Sequence, residues 1–496
     1  MKYFSTRDAS VRVSAAEAIA TGLAPDGGLF VPESIPHIGA QDIEELRLLD
    51  YRGRAARIMG MYLDDFTGDE LELFCRRAYS DNFDTPETAP LRIIDGGTAV
   101  LELWHGPTCA FKDMALQMLP HLLTASLRKC GEKRGVCILV ATSGDTGKAA
   151  LEGFADVEGT RIVVFYPRDG VSDVQKLQMT TQTGENVLVS AIAGNFDDAQ
   201  TGVKRIFGDR DFAARLDESG WFLSSANSIN WDRLLPQIAY YVSAYCDMIN
   251  AGKIANGDRI NFCVPTGNFG NILAGWYAKQ MGLPVARFVC ASNSNNVLTD
   301  FINTGTYDRN RQFHCTISPS MDILVSSNLE RLLYACCGSD SEVAGYMASL
   351  AKEGSYTVSD GLIDRIRADF SAGFCSDGET RAEIADMFAK GYLMDPHTAV
   401  AWKVLRGYRA ATGDTTPSVV VSTASPFKFC DSVLAALGED TGAPGTELIG
   451  RLAERTGVPA PKPLATLAGR AVRFDGCIDR SDMERLVGDF LRWEKR

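Results

Sequence analysis

The stretch "VPTGNFGNILAG", residues 264–275, joins an apolar run to a glycine-rich turn and then to a helical pattern. The run "RINFCVP" (259–265) is typical of a buried strand, and a helix is predicted from Ile272. Gly267 and Gly270 allow the backbone to approach a ligand closely. Backbone N–H groups at the start of a helix bind phosphate without a formal positive charge, so this turn is a candidate phosphate cup. A glycine-rich turn with a purely structural role would give the same pattern.

The same alternation of strand and helix recurs along most of the chain. Further apolar runs are "TAVLEL" (98–103), "VCILVA" (136–141), "RIVVFY" (161–166), "ARFVCA" (286–291) and "SVVVST" (418–423). Short β-rich runs between helices predict an α/β fold, with mainly parallel sheets covered by helices on both faces. Ligands of such sheets bind beyond the carboxyl ends of the strands, so the loops after these runs are the candidate site.

Changes in pattern along the chain predict three regions. Residues 1–95 join a turn-rich segment to helical patterns and are predicted to form an α-rich N-terminal domain. Residues 96–438 carry the strand and helix alternation, predicted as two α/β subdomains with a helical insertion at about 326–411. Residues 439–496 contain Gly- and Pro-rich turns and a last strand and helix pattern, and form a predicted C-terminal appendage.

Composition and charge exclude several classes of function. The chain has 496 residues and a formal net charge of −13, which argues against nucleic acids and anionic membranes as partners. No apolar run reaches the ~18 residues that a membrane span needs. The thirteen cysteines contain no Cys-x-x-Cys spacing and the five histidines form no ligand cluster. The sequence therefore predicts reduced thiols, no metal site and a cytoplasmic location.

A second junction, "ATSGDTGKAAL" (141–151), leads from a strand through small and hydroxyl residues into a helix. Helix N-terminal amides favour an anion such as a carboxylate or phosphate. The glycine spacing does not match the Gly-x-x-x-x-Gly-Lys pattern of a P-loop. A helix cap with a tight turn is the structural alternative.

A lysine and a hydroxyl-rich strand end complete the set of candidate groups. Lys112 lies in "WHGPTCAFKD" (104–113), and Thr423 ends the strand of "VVVSTASPFKF" (419–429). Taken alone, a lysine is usually exposed and a hydroxyl-rich turn is usually structural. Taken together, an amine, a phosphate cup, a carboxylate cup and a strand-end hydroxyl suit pyridoxal 5'-phosphate and an amino-acid substrate.

Ordered blocks over nearly the whole chain resemble the threonine synthase family, in its longer class with an extra N-terminal domain. The blocks are "YFSTR", "GLAPDGGLFVPE", "HGPTCAFKD", "ATSGDTGKAA", "NSINWDRLLPQIAYY" (227–241), "VPTGNFGN" and "MDILVSSNLERLLY" (321–334). The resemblance implies fold type II of the pyridoxal phosphate enzymes, the fold of the tryptophan synthase β-like proteins. It also implies that residues 96–438 form the catalytic region and that pyridoxal 5'-phosphate is the cofactor.

The resemblance assigns roles to residues that match the family's motifs. Lys112 is the catalytic lysine that binds the cofactor aldehyde, and Thr423 is the partner of the ring nitrogen. The expected phosphate cup consists of Gly267, Asn268, Phe269, Gly270 and Asn271. The residues expected at the substrate are Ser143, Gly144, Asp145 and Thr146 at its carboxylate, Lys148 and Arg233 as candidates for its phosphate, and Asn227, Ser228 and Asn230 from a family block.

One position departs from the family's pattern. Ser425 stands in "TASPFKF" where the family commonly has histidine after Thr-Ala. Histidine carries a proton near neutral pH, whereas serine only donates or accepts a hydrogen bond. Because the surrounding blocks are intact, we interpret the family's histidine as a positioning group that serine can replace.

The resemblance implies the conversion of O-phospho-L-homoserine and water to L-threonine and phosphate, by γ-elimination and β-addition. Two alternatives stay open: a related phospho-lyase that ends at 2-oxobutyrate, and a catalytically silent homologue used for binding or regulation. The intact lysine motif and phosphate cup argue against the silent homologue. The sequence does not determine the oligomeric state, although a monomer is favoured.

Overall fold

The computed structural model describes residues 1–142, 144–169 and 171–491. The strands of the N-terminal part are short, and the longer strands, of five to eight residues, all begin at residue 98 or later. The strands are β1 (Tyr3–Ser5), β2 (Arg12–Val13), β3 (Phe30–Pro32), β4 (Leu91–Ile93), β5 (Thr98–Glu102), β6 (Gly135–Ala141), β7 (Thr160–Pro167), β8 (Val187–Ile192), β9 (Trp221–Ser224), β10 (Ile260–Pro265), β11 (Val285–Ser292), β12 (Thr306–Asp308), β13 (Ser355–Thr357), β14 (Phe370–Phe374), β15 (Ser418–Ser422) and β16 (Cys477–Ile478).

Helices connect most of these strands and cover the sheets. They are α1 (Ala15–Thr21), α2 (Ala40–Leu46), α3 (Tyr51–Gly60), α4 (Gly68–Ala78), α5 (Asp113–Leu116), α6 (Leu119–Lys129), α7 (Asp145–Phe154), α8 (Asp173–Thr180), α9 (Phe196–Gly208), α10 (Arg210–Glu218), α11 (Trp231–Asn250), α12 (Gly270–Met281), α13 (Val297–Thr304), α14 (Leu329–Cys337), α15 (Asp340–Glu353), α16 (Asp360–Asp369), α17 (Asp377–Ala389), α18 (Pro396–Thr412), α19 (Cys430–Ala436), α20 (Gly445–Thr456), α21 (Lys462–Ala465) and α22 (Met483–Leu491). A 3₁₀ helix at Pro426–Phe429 follows β15 and contributes to the site described below.

Two sheets carry the main region. The larger has six strands in the order β14-β11-β10-β15-β5-β4, parallel except for the edge strand β4. The other has five parallel strands in the order β16-β8-β7-β6-β9. Every residue of β5, β10 and β15 is buried, as expected for strands with helices on both faces. The sequence prediction of an α/β fold with mainly parallel sheets is confirmed.

The N-terminal part has its own small antiparallel sheet, in the order β2-β1-β3, with helices α1 to α4 beside it. It is anchored to the main region by Arg331, a fully buried guanidinium on α14. Its Nε donates to Phe30 O at 3.0 Å and its Nη2 donates to Ile229 O at 2.6 Å. One side chain thus joins the N-terminal part to the loop before α11.

The segment 326–411 differs from the helical insertion that the sequence predicted. Its strand β14 pairs in parallel with β11 and forms one edge of the six-stranded sheet. The sequence "FSAGF" lacks a strong apolar run, so pairing with a preformed neighbour decides its conformation. The segment is therefore part of the large α/β unit as well as its outer helical layer.

Residues after 438 also join the body. Strand β16 pairs with β8 at the edge of the five-stranded sheet, and α22 buries Met483, Val487 and Leu491. Division of the chain at residues 95 and 438 remains a prediction. Among the described residues, none of the helices is long and apolar enough to cross a membrane.

Candidate active site

Lys112 immediately precedes α5, in the loop that follows β5. The residue keeps partial solvent access while its amine lies among buried neighbours. Burial lowers the pKa of this amine to about 8; Arg233 and Lys428 act in the same direction, and Asp145 opposes them. A lysine with this pKa is partly neutral near pH 8, as a nucleophile or base requires.

The loop before Lys112 is fixed by Asp113, a buried carboxylate. Asp113 accepts hydrogen bonds from Thr108 N at 2.8 Å and Thr108 Oγ1 at 2.7 Å. Gly106 packs directly against it, since a Cβ at Gly106 would lie 2.6 Å from Asp113 Oδ2. The glycine in "HGPT" therefore allows the turn to close over the carboxylate that holds it.

The strand end at Thr423 lies beside the lysine loop. Strands β15 and β5 are parallel neighbours, and the pairing continues beyond them with a bridge between Ala110 and Ala424. Thr423 O accepts a hydrogen bond from Phe111 N at 2.8 Å, and Thr423 is buried. The lysine loop and the strand end at Thr423 are thus brought together.

The second junction is tied to the same place through Asp145, the first residue of α7. Its Oδ1 lies 2.8 Å from Lys428 Nζ and accepts a hydrogen bond from Gln175 Nε2 at 2.9 Å. Lys428 Nζ also donates to Thr108 O at 2.9 Å. Although burial opposes its ionisation, Lys428 and Lys112 hold the pKa of Asp145 below its usual range.

Ser320 connects Asp145 with the candidate phosphate cup. Its Oγ donates to Asp145 Oδ2 at 3.3 Å, and its carbonyl oxygen lies where a Cβ on Gly267 would be only 2.9 Å away. Ser320 N donates to His397 Nε2 at 3.2 Å, while the other ring nitrogen of His397 lies 2.7 Å from Asp395 Oδ1. The buried Asp395 and His397 at the start of α18 thereby orient Ser320.

The glycine-rich turn 266–270 forms a cup at the N-terminus of α12. Phe269 adopts a left-handed conformation with φ of 64°, which is uncommon for a residue with a side chain. The segment before α14 supports the turn: Ser326 Oγ donates to Gly267 O at 2.7 Å and Asn328 N donates to Asn268 O at 3.1 Å. Gly267 and Asn268 keep solvent access, so the cup is open to a ligand.

Asn271 supplies an unused donor at this cup. Its Oδ1 lies 2.7 Å from the hydroxyls of both Tyr240 and Tyr241. These hydroxyl contacts orient the amide, and Asn271 Nδ2 is buried without a hydrogen-bond partner in the part of the chain that the structure describes. Because an unsatisfied buried donor is costly, the cup is suited to an anionic acceptor.

The remaining substrate residues expected from the sequence fall into two groups. The surroundings of Arg233 support a role in ligand binding. The side chain is buried, its charge lowers the pKa of Lys112, and its Nε has no hydrogen-bond partner among the described residues. Lys148 and Asn230 have structural contacts instead. The Lys148 ammonium is buried and pairs with Glu152 at 2.6 Å and with Gln182, so these contacts give no support to a role at the substrate phosphate.

Asn230 is the N-cap of α11, and its Nδ2 donates to Ile19 O at 3.2 Å in the N-terminal part. Asn227 is exposed and Ser228 half-buried in the turn before that helix. Their roles at a substrate remain predictions, and the contacts of Asn230 point to a structural role. Ser143 lies outside the described residues.

The start of α7 is partly occupied by its own loop. Thr142 Oγ1 accepts hydrogen bonds from Gly144 N and Gly147 N, both at 3.0 Å. Gly144 has a φ of 150° and packs against Gln175. Thr146 at the first turn remains half-buried. A carboxylate that binds here therefore has fewer amides available than the glycine pattern suggested.

Sequence reasoning missed Lys428, Ser320 and Gln175. Lys428 lies in "TASPFKF", yet a lysine six residues after the end of β15 carries no signal by itself. Its proximity to Asp145 follows only from the way the two sheets meet. The apolar residues on either side of Lys428, Phe427 and Phe429, were the available hint that this lysine is buried.

Comparison with known proteins agrees with this geometry. Residues 2–79 match the family "Threonine synthase N terminus", residues 99–424 match "Pyridoxal-phosphate dependent enzyme" and residues 398–484 match "Threonine synthase, C-terminal". Threonine synthase of Pseudomonas aeruginosa is 40% identical over 448 residues, covering 90% of this chain and 92% of that protein.

The chain belongs to the threonine synthase family.

A crystal structure of pyridoxal phosphate-bound threonine synthase from Brucella melitensis superposes with a TM-score of 0.88 and 38% identity, covering 99% of this chain and 100% of that one. Human "Threonine synthase-like 1" is 42% identical over 456 residues, covering 88% of this chain. The chain spans 60% of the length of that human protein. The threonine synthase family therefore includes longer relatives that carry additional sequence.

Pyridoxal 5'-phosphate is the cofactor of this family member, and the site fits it. Lys112 keeps partial solvent access as a residue, and its amine has a lowered pKa, as a covalent link to an aldehyde requires. The open turn at the N-terminus of α12 offers backbone N–H groups to a phosphate, and Asn271 at the start of that helix has a buried Nδ2 without a partner among the described residues. The expected fold type II architecture of a pyridoxal phosphate enzyme is also confirmed.

Ser425, which replaces the family's common histidine, is fully buried and caps the 3₁₀ helix by accepting from Phe427 N at 3.3 Å. Replacing Ser425 with histidine is expected to change turnover by less than about tenfold, because the role of this position is to hold the loop after β15 in place and not to carry a proton. Overpacking is expected to destabilise the fold by about 1–3 kcal/mol. Steady-state kinetics below the melting temperature test the change in turnover, and denaturant unfolding tests the change in stability. A change of product on introduction of histidine would contradict a positioning role.

His105, next to the lysine loop, gives the fold a defined pH dependence. Burial disfavours its charge, but hydrogen bonds to Asp84 at 2.5 Å and Glu102 at 3.0 Å outweigh burial and raise its pKa from 6.5 to about 9. The stabilisation is therefore complete below pH ~6.5 and is lost as the pH rises through ~9.

Replacing His105 with glutamine is expected to lower the free energy of unfolding by about 1–2 kcal/mol at pH 6, since solvent screens the partly exposed Asp84. The difference between the two proteins should shrink towards pH 9. Urea unfolding of both proteins at pH 6, 7.5 and 9 measures it. A difference that grows with pH would contradict the assignment.

Proposed function

We propose that this protein converts O-phospho-L-homoserine and water to L-threonine and phosphate. The observation that carries the proposal is the grouping of Lys112 with two helix N-termini and two buried cations, Arg233 and Lys428. A substrate with a carboxylate and a phosphate, bound beside a cofactor phosphate, needs several separate anion-binding groups. The similarity to threonine synthases of bacteria and yeasts supports this choice of substrate.

Bound pyridoxal phosphate supplies an electron sink for carbanions formed at the substrate's Cα and, in turn, Cβ. Lys112 Nζ is the base that removes the Cα proton, because its lowered pKa leaves the amine neutral in a useful fraction of molecules. Arg233 is suited to bind an anionic group of the substrate through its Nε, which has no hydrogen-bond partner within the described part of the chain. The Thr423 hydroxyl is a neutral partner for the cofactor ring and does not fix a charge there.

The start of α7 is the proposed site of the substrate carboxylate. Asp145 opens this helix, and the positive end of the helix dipole favours an anion within the first turn. Gln175 and Ser320 hold Asp145 in place by hydrogen bonds, so the first turn is ordered before a substrate binds. An ordered first turn reduces the entropy cost of binding.

One incubation separates the proposed reaction from its alternatives. The cofactor-loaded protein is mixed with O-phospho-L-homoserine, and threonine, 2-oxobutyrate and phosphate are measured together. Equal amounts of threonine and phosphate are expected. Phosphate with 2-oxobutyrate would replace the proposal by the lyase reaction, and absence of all three products would favour a silent homologue.

The thirteen cysteines are free, which fits a reducing compartment, and we include a cytoplasmic location in the proposal.

A further inference from the structure

Lys428 is a second buried lysine in the candidate site, and the proposed function uses it only as a nearby positive charge, without a specific role for its contacts. It lies in the 3₁₀ helix after β15, so it belongs to the six-stranded sheet. Its ammonium contacts Asp145 Oδ1 at 2.8 Å and Thr108 O at 2.9 Å, and its side chain is fully buried. Burying an ammonium costs free energy unless a charge and hydrogen bonds compensate, so Asp145 is its essential partner.

The ion pair crosses the boundary between the two sheets. Asp145 follows β6 of the five-stranded sheet, whereas Lys428 and Ser320 come from the larger unit. Asp145 therefore forms an ion pair with Lys428 and accepts a hydrogen bond from Ser320, both of the larger unit. It accepts a further hydrogen bond from Gln175 of its own unit. The pair fixes the position of the first turn of α7 relative to Lys112.

The ion pair of Lys428 with Asp145 also affects the balance of charge around Lys112. The charged groups that act on the Lys112 amine are Asp145, Arg233 and Lys428. Asp113 faces the same loop, but burial raises its pKa to about 7 despite its hydrogen bonds from Thr108. Asp145 would repel an anionic substrate at the helix start where that substrate is expected to bind, unless a cation compensates its charge.

We propose that Lys428 is a positioning residue whose ammonium neutralises Asp145 across the sheet boundary, so that an anionic substrate can bind beside Lys112. The nature of the anion rests on the proposed function, whereas the electrostatic role does not. Lys428 acts through Asp145 because two of its three N–H donors are already directed at Asp145 and Thr108.

A spectroscopic titration tests the electrostatic role without any substrate. The visible absorbance of the cofactor bound to Lys112 is titrated in the wild type, Lys428→Met and Asp145→Asn. Loss of the cation is expected to raise the pKa of the cofactor–lysine link by about one unit, and loss of the anion to lower it by a similar amount. Unchanged values in both variants would overturn the proposal.

A double-mutant cycle tests the consequence for binding. The probe is the phosphonate analogue of O-phosphohomoserine, in which a methylene group replaces the bridging oxygen, and its Kd is measured by calorimetry. Lys428→Met is expected to weaken binding at least tenfold, because Asp145 is left uncompensated. The double variant Lys428→Met/Asp145→Asn is expected to bind within about threefold of the wild type. Equal weakening in the single and double variants would overturn the proposal.

Two further variants distinguish an effect of the lost charge from an effect of a destabilised fold. Lys428→Arg keeps the cation and is expected to leave the spectroscopic pKa within about half a unit of the wild type. Lys148→Met removes another buried lysine with a carboxylate partner, Glu152, and is expected not to move that pKa. A shift as large in Lys148→Met as in Lys428→Met would assign the effect to general destabilisation and overturn the proposal. If the wild type binds no phosphonate, the proposed substrate fails while the titration still decides the role of Lys428.

Discussion

Replacing Lys112 with alanine is expected to lower turnover at least about ten-thousand-fold, since the covalent link to the cofactor and the base are removed together. Burial lowers the pKa of this amine to about 8, and the charges of the Asp145 and Lys428 ion pair also act on it. Steady-state assay of phosphate release and the visible spectrum of the purified variant measure the effect. Turnover reduced by less than about a hundredfold would show that another group is the base.

Borohydride reduction identifies the lysine that binds the cofactor. The wild type is expected to yield one labelled peptide, containing Lys112. Lys428 is the informative competitor because it is also buried in the site. The Lys428→Met variant should therefore still be labelled at Lys112, and label on Lys428 in the wild type would refute the assignment of Lys112.

Replacing Gly267 with valine is expected to weaken cofactor binding at least about a hundredfold, equivalent to roughly 2.7 kcal/mol. A Cβ at this position would lie 2.9 Å from the backbone oxygen of Ser320, closer than a normal contact. Ser320 cannot move freely, because it is also hydrogen-bonded to Asp145 and His397. The branched side chain is therefore expected to displace the turn that we propose as the phosphate cup.

Gly270→Ala is the matched control for Gly267→Val. A Cβ at Gly270 would meet the Asn328 side-chain amide at 3.3 Å, a longer and therefore milder contact than the one at Gly267. We expect the cofactor affinity of this variant to change less than fivefold. A fluorescence titration of the cofactor-free protein with pyridoxal 5'-phosphate provides the Kd. Far-ultraviolet circular dichroism verifies that both variants are folded. Full cofactor occupancy in folded Gly267→Val would rule out the cup.

Local sequence patterns were sufficient to predict the strand and helix alternation, because buried parallel strands leave continuous apolar runs such as Ile260–Pro265. They were insufficient for β9, which is only four residues long, and for β14, which lacks a strong apolar run; pairing with neighbouring strands stabilises both. The helical segment that follows Lys112 is divided into α5 and α6, with Pro120 near the start of the second helix.

The sequence by itself determined the family, the cofactor and the identity of the candidate lysine, since these depend on short motifs whose residues are adjacent in the chain. Only the tertiary structure decided which charges face one another. In the folded chain Lys148 pairs with Glu152, which gives no support to its expected role at the substrate phosphate. Lys428, which follows a strand of the other sheet, pairs with Asp145. A motif specifies the conformation of its own loop, whereas contact between two loops depends on how the helices and sheets that carry them pack.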